Sequence, residues 1–458
     1  MVFSSIIFLF RFLPITLFVY YIAPQKFKNA VLVICSLFFY SWGEVKYFPI
    51  MIASILVDYI VSLVIERNRE KKGICKICMG ISLLFNLGML FFFKYTNFFV
   101  DNINAFAGTH FAGIQLTLPL GISFYTFQTL SYTIDVYRGK TKAERNIVNF
   151  AAFVTLFPQL IAGPIVKYTD VSRELRERKM NLAQINEGIT LFILGLGKKV
   201  LIANNIGSLW NQVQDIGFSN VSTPLAWLGI LAYSFQIYFD FSGYSLMAIG
   251  MGKMLGFEFP QNFNYPYISK SMTEFWRRWH ITLGSWFREY VYIPLGGNRV
   301  SKPRMYFNIF IVWAATGFWH GASWNFVLWG LFFFVFLVLE KTFLLKYLEK
   351  SHVFSHIYVC FFLVLSWALF AITDFSQLGI FLERLFSFSS GSDWMYYLRN
   401  YLVTFLLAIF CSIPLVEKLY NKIKKIAFVN LLILAVILIV SIAYLVDATY
   451  NPFLYFRF

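Results

Sequence analysis

Apolar positions run along this chain in long continuous blocks, at about 3 to 22, 29 to 43, 47 to 65, 74 to 93, 116 to 137, 147 to 162, 187 to 206, 224 to 256, 306 to 345, 355 to 374, 398 to 416 and 427 to 447. Most approach or exceed the roughly 20 residues a helix needs to cross about 30 Å of hydrocarbon. A membrane barrel would instead show segments of about ten residues alternating every second position, so the pattern predicts helices. An all-α polytopic protein with eleven to fourteen helices, several of them short, is expected. Arg11 and Pro14 interrupt the first block and no small-x-small cleavage site follows, so this block is expected to stay as the first span. Two stretches, "LPLGISFYTF" and "FPQLIAGPIVKY", are broken by Pro and Gly. Irregular backbone at membrane depth is tolerated only where protein or a water-filled cavity surrounds it, which predicts re-entrant segments around an internal cavity. With no repeat at a period of about 20 to 50 residues and no long polar tract, residues 1–458 read as a single membrane domain.

Composition agrees with the pattern: 59% of residues are apolar and 21% aromatic, against 14% charged, which excludes an ordinary soluble globule. The net charge of +16 would suit nucleic acid, but its distribution points elsewhere. Lys26/Lys28, Arg67 to Lys76, Arg138 to Arg145, Lys341/Lys346/Lys350 and Lys418 to Lys425 fall where alternate loops belong, as positive-inside sorting requires. Both termini are then expected to lie on the extracytoplasmic side. The alternation fails at 167–180, a basic stretch that strict counting puts outside. Five scattered cysteines make no disulfide framework, and "CKIC" at 75–78 has no nearby ligands to complete a zinc site, so no metal is expected.

Candidate chemistry concentrates in two places. In "TEFWRRWHITLGSWFREYVYIPLGGNR" at 273–299, Thr273 can cap a helix that mixes Phe275, Trp276 and Trp279 with Arg277, Arg278 and His280. Such a helix suits a membrane interface as an anchor, and its guanidinium groups equally suit phosphate oxygens. In "ATGFWHGASWNFVLWG" at 315–330, His320 lies far along an apolar run from the basic patch Arg299/Lys302/Arg304, beside Gly317, Gly321, Ala322 and Ser323. Ionisable groups inside a membrane are costly and mark pathways or reactions, so His320 is the leading candidate for a general base. His110, His352 and His356 read as surface residues. Asp240, Asp58 and Asp135 sit in apolar surroundings and need partners, structural or catalytic.

Together with "GISFYTFQTLSYTIDVYRGK", "YFDFSGYS" and "NFNYPY", these stretches closely resemble the membrane-bound O-acyltransferase (MBOAT) family, in its alginate and peptidoglycan O-acetyltransferase branch. The likeness covers about 110–330, in the same order. It implies a ring of transmembrane and re-entrant helices around a central tunnel, with the family's essential histidine at His320 and its second frequent histidine at His280. Where the branch commonly carries an acidic residue after "SGYS", this chain has Leu246.

The end of the chain, "TYNPFLYFRF", is similar to the Phe-x-Tyr-x-x-Phe string of a small membrane peptide that serves the D-alanyl transferase branch, with Phe453, Tyr455 and Phe458 reproducing the spacing. By that resemblance Tyr455 is a built-in acyl acceptor seated by Phe453 and Phe458; an interfacial aromatic anchor is the plainer alternative. The expected activity is transfer of an acetyl group from a cytoplasmic thioester, acetyl-coenzyme A, across the membrane for O-acetylation of an exported polysaccharide. Arg277, Arg278 and Arg288 are candidate contacts for the donor's phosphates. No bound cofactor is expected, and the expected partners are membrane lipid and a separate extracytoplasmic esterase-like or acetyltransferase protein. The alternatives are a flippase for lipid-linked glycans, or a relative using D-alanyl or long-chain donors.

Overall fold

Helices account for every regular element in the computed structural model, which describes residues 1–161 and 163–447; no strand occurs among them. Seven helices are long and apolar enough to cross a membrane: Phe48–Arg67, Lys72–Ala107, Leu182–Ile216, Trp324–Leu348, His352–Ala371, Asp393–Cys411 and Ala427–Asp447. The first apolar block forms a shorter helix, Phe8–Ile22. The protein is thus an all-α polytopic membrane protein; of the remaining apolar blocks, 224–256 folds as one 32-residue helix, Thr223–Met254, and the others as shorter or broken helices.

The chain forms two compact units, one of residues 1–192 and 247–260, the other of 193–246 and 261–458. In the first, Phe48–Arg67, Lys72–Ala107 and Ile122–Tyr137 pack on one another. Their contact is polar at its centre. The fully buried Asp58 accepts hydrogen bonds from Ser82, from Asn86 Nδ2 at 2.7 Å and from Thr133 Oγ1 at 2.8 Å, while Asn86 Oδ1 accepts from Ser54 and Thr129. Between apolar helices there is little hydrophobic gain in a lipid solvent, so such interhelical hydrogen bonds act as the glue. The broken stretches fold as the Pro and Gly positions lead one to expect. Gly121 has φ +71°, and a Cβ there would lie 2.5 Å from the carbonyl oxygen of Leu160. The 147–162 block is split into Ile147–Thr155, which starts on the exposed Ile147 and Val148, and the buried Phe157–Leu160, and a nine-residue helix of about 14 Å cannot cross the hydrocarbon.

The second unit carries the two chemical clusters. The 306–345 block is two helices, Lys302–His320 and Trp324–Leu339, parted at Gly321. They cross closely. A Cβ on Gly317 would lie 2.4 Å from the Phe326 carbonyl oxygen, and one on Gly330 2.4 Å from that of Trp313. Asp240 finds its partner in Lys199, 2.6 Å away, and both side chains are buried. Lys199 Nζ also donates to Asn204 Oδ1 at 2.8 Å. A desolvated charge without such pairing would cost several kcal/mol, on the order of 3–5 when one partner is removed.

Candidate active site

The segment 262–292 builds the site by a short helix, a sharp turn and a second helix. Ser271 opens the helix Met272–Arg278 by accepting from Glu274 N–H. From a neighbouring element the buried Glu340 accepts from the Met272 and Thr273 N–H groups and from Thr273 Oγ1, closing the otherwise unsatisfied donors of the first turn. Four residues on, Arg278 turns back to Glu274, with Nη2–Oε1 at 2.8 Å, and to the Asn264 carbonyl at 3.1 Å. Burial pushes the Glu274 carboxyl up, but the Lys270 N–H and the Arg278 guanidinium more than offset it and hold the group below the ordinary carboxylate value. Arg278 is therefore engaged in holding the turn.

After Trp279 the backbone turns sharply at His280, which has φ 44° and ψ 54°. A non-glycine residue in the left-handed region is uncommon and stores strain of order 1–3 kcal/mol, a state found most often at functional positions. Asn262 holds the turn with both its carbonyls. Its backbone oxygen accepts from Ile281 N–H at 3.0 Å. Its side-chain Oδ1 lies 2.9 Å from Thr282 Oγ1, 3.3 Å from Thr282 N and 3.1 Å from His280 Nδ1. His280 is only 1% exposed, and burial pushes its imidazole down to about 3. It is a neutral ring at any physiological pH.

A cavity of about 400 Å³ opens on this turn. His280 lines it together with Trp276, Tyr292, Trp313 and Thr316, and three cationic side chains, Arg277, Arg288 and Lys341, stand on its wall. Arg277 and Arg288 are thus brought together with His280. Lys341 joins them from the turn of helix that follows Trp324–Leu339.

His320 lies one turn beyond Thr316, the last residue of its helix to line the cavity. It is 4% exposed, with the rings of Trp329, Trp319 and Phe370 at 5.0, 5.1 and 5.4 Å between centroids. The Trp319 ring also lies 6.2 Å from that of His280, so one indole is flanked by both histidines. Gly321, next to His320, leaves room for the Phe326 ring, whose nearest atom would be 2.2 Å from an added Cβ. Phe453, Tyr455 and Phe458 lie outside the described residues.

Sequence reading named both histidines, of which His280 lines the cavity and His320 is not among its lining residues, and two of the three cavity cations. It missed Lys341, assigned to a cytoplasmic loop, and it missed Asn262 and Glu340. The signal for Glu340–Lys341 was a charged pair directly closing an apolar helix; for Asn262 it was the polar residue that opens "NFNYPY", a stretch read only for its part in the family resemblance.

The sequence comparison gives the family: the chain belongs to the membrane-bound O-acyltransferase family, whose family model matches residues 142–356. It is a multi-pass membrane O-acyltransferase. Among its relatives are the probable alginate O-acetylase AlgI of Azotobacter vinelandii, 40% identical over 399 residues, which are 86% of this chain and 79% of that one, and AlgI of Pseudomonas syringae pv. tomato, 42% identical over 401 residues, 86% and 76% of the two chains. The peptidoglycan O-acetyltransferase of Helicobacter pylori is 39% identical over 366 residues, 72% and 68% of the two.

Proposed function

We propose that this protein takes an acetyl group from cytoplasmic acetyl-coenzyme A and passes it across the membrane for O-acetylation of an extracytoplasmic polysaccharide such as alginate or peptidoglycan. The observation that carries this reading is the cavity: three cations with aromatic side chains around His280 suit a donor that bears phosphates, an adenine ring and a thioester. The names of the relatives support the acetyl group and the class of acceptor.

In this reading the phosphates rest on Arg277, Arg288 and Lys341, and the thioester arm points towards the two histidines. The neutral imidazole of His320 takes the proton of an attacking hydroxyl, whose oxygen bonds to the thioester carbon as the carbon–sulfur bond breaks; the imidazolium then returns the proton to the departing thiolate. Tyr455 is the proposed first acceptor, reaching in from the outer face with Phe453 and Phe458 seating it. A phenol with an ordinary pKa of about 10 is a poor nucleophile at neutral pH without such a base. The acetyl-tyrosine then passes its group outward, with a separate extracytoplasmic esterase-like or acetyltransferase protein completing transfer to sugar. The protein sits in the bacterial cytoplasmic membrane with both termini outside.

Incubation of the purified protein with isotopically heavy acetyl-coenzyme A, followed by mass spectrometry of the C-terminal peptide, tests the route. A heavy acetyl on Tyr455, lost in Tyr455→Phe and in His320→Ala, is the expected result. Full glycan acetylation by a normally produced Tyr455→Phe protein reduces the tail to an anchor, and full activity of His320→Ala removes the base. Movement of a lipid-linked glycan without bond formation, indifferent to His320, would replace this reading with a flippase.

A further inference from the structure

Asn262 Oδ1 sits among three groups, and one of them is a fixed donor. The Thr282 backbone N–H, 3.3 Å away, can only donate, so the amide must present its oxygen and not its nitrogen to this spot. Thr282 Oγ1 points to the same oxygen at 2.9 Å. His280 Nδ1 meets that oxygen at 3.1 Å, and a carbonyl-type oxygen offers only lone pairs. The bond therefore exists only if Nδ1 carries the hydrogen. A neutral imidazole holds one hydrogen, so the other nitrogen, Nε2, keeps its lone pair.

We propose that Asn262 is a positioning residue that locks His280 in the Nδ1–H tautomer, so that His280 meets the cavity as a proton or hydrogen-bond acceptor and not as a donor. The ring is held in rotation as well as in tautomer. Phe241 stands edge-on to it at 4.8 Å, and the left-handed turn that carries it is tied by Ile281 N–H to the backbone oxygen of the same Asn262. One residue thus sets the backbone turn, the ring plane and the location of the lone pair. The charged groups that line the same cavity as this ring are Arg277, Arg288 and Lys341, all cationic, and positive charge there opposes a second proton on it. Asp240, next to Phe241 in sequence, is paired with Lys199.

The chemical consequence rests on the acetyl-transfer reading above. An acceptor nitrogen in the cavity wall binds the hydroxyl or amide hydrogen of whatever enters and orients it; a donor there would instead hold a carbonyl oxygen. The two assignments lead to opposite substrate poses. Asn262 is not among the residues that line the cavity, so its effect should reach turnover through His280 and leave binding of the phosphate end alone.

Two measurements on the intact protein test the proposal, and they fail independently. The first is histidine-selective 15N NMR in detergent, with His280→Gln used to assign the signal. A neutral ring protonated at Nδ1 from pH 8 down to about 5 is expected in the unaltered protein, with mixed tautomers in Asn262→Leu. In Asn262→Asp the carboxylate accepts from the same donors and stabilises the imidazolium, so protonation should occur at higher pH than in the parent. A parent ring protonated at Nε2 overturns the proposal whatever the donor substrate is. The second is kinetics with acetyl-coenzyme A. Asn262→Leu should lose about 10- to 100-fold in kcat, less than the roughly 10²- to 10⁴-fold that a positioned acid–base group itself supplies, with KM changed less than about twofold. Asn262→Asp should retain activity at high pH and lose it on acidification before the parent does. Unchanged kcat and pH profile in both variants overturns the positioning role while leaving the acetyl-transfer reading intact. Should Asn262→Leu fail to fold, the near-isosteric Asn262→Asp decides by the same two readouts.

Discussion

His280 shows how much chemistry one side chain can carry when its surroundings are fixed. It is desolvated, sits in a left-handed turn and lines a cavity together with three cations. Its imidazole is pushed down to about 3, against about 6.5 for the unfolded chain. Between those two values the unfolded state binds more protons, so stability falls as pH falls from about 6.5 towards 3, by up to about 1.4 kcal/mol per pH unit for this one group. The melting temperature in detergent should therefore decline more gently on acidification in His280→Gln than in the parent. A buried ion pair gives a second expectation at this scale. Asp240→Asn strands Lys199 and should cost about 3–5 kcal/mol, whereas the double replacement Lys199→Met with Asp240→Leu should recover most of it; denaturant titration of the three variants checks both. Of these features the sequence disclosed the residue types. That His280 and Asp240 matter was legible, because an ionisable group in an apolar run demands an explanation. Their partners were not, since Asn262 is 18 residues from His280 and Lys199 is 41 from Asp240, and nothing in the spacing links them.

Elements set the precision with which those residues are placed. The helices Lys302–His320 and Trp324–Leu339 meet at Gly317 and Gly330, where a Cβ added to either would lie 3.2 Å from the other's Cα and would be driven into the partner helix's backbone. Backbone cannot give way as a flexible side chain can. Gly330→Leu should destabilise by about 1–3 kcal/mol or more, and it should lower activity by displacing the helix end that carries His320. Gly379, inside the helix Phe375–Phe386 with open space around it, is the control position, and Gly379→Ala should leave activity unchanged and raise stability by up to about 1 kcal/mol. The cap on Met272–Arg278 gives another test. Glu340 accepts three hydrogen bonds from Met272 and Thr273, and Glu340→Gln offers one oxygen where two served, for an expected loss of about 1–3 kcal/mol seen as a lower melting temperature. The small residues and the break at Gly321 were visible in "GFWHGASWNFVLWG", and the structure puts the break there. The Pro- and Gly-broken stretch at 147–162 likewise folds as two pieces too short to span. Which acid caps which helix was not visible, because capping across 67 residues is a tertiary contact.

At the scale of the whole molecule, seven helices long and apolar enough to span account for a multi-pass protein, and the distribution of lysine and arginine carries its proposed orientation. A cysteine-free background with Lys71→Cys should resist a membrane-impermeant maleimide in intact cells, whereas Thr109→Cys should react. The reverse labelling would invert the topology and put the cationic cavity on the wrong side for a cytoplasmic donor. The solvent is what the sequence determined by itself: long apolar blocks in a chain that is 59% apolar can form only helices in lipid, because each backbone polar group must find its partner within its own segment. The sequence also determined the chemical family, since the histidine-bearing stretches keep their order and wording over about half its length. Tertiary structure alone decided which of the basic residues share a cavity with His280, which one is bound into a turn, and which amide fixes the imidazole. Those choices depend on contacts between segments far apart in the chain. The local rules of helix and span leave them open, and packing settles them.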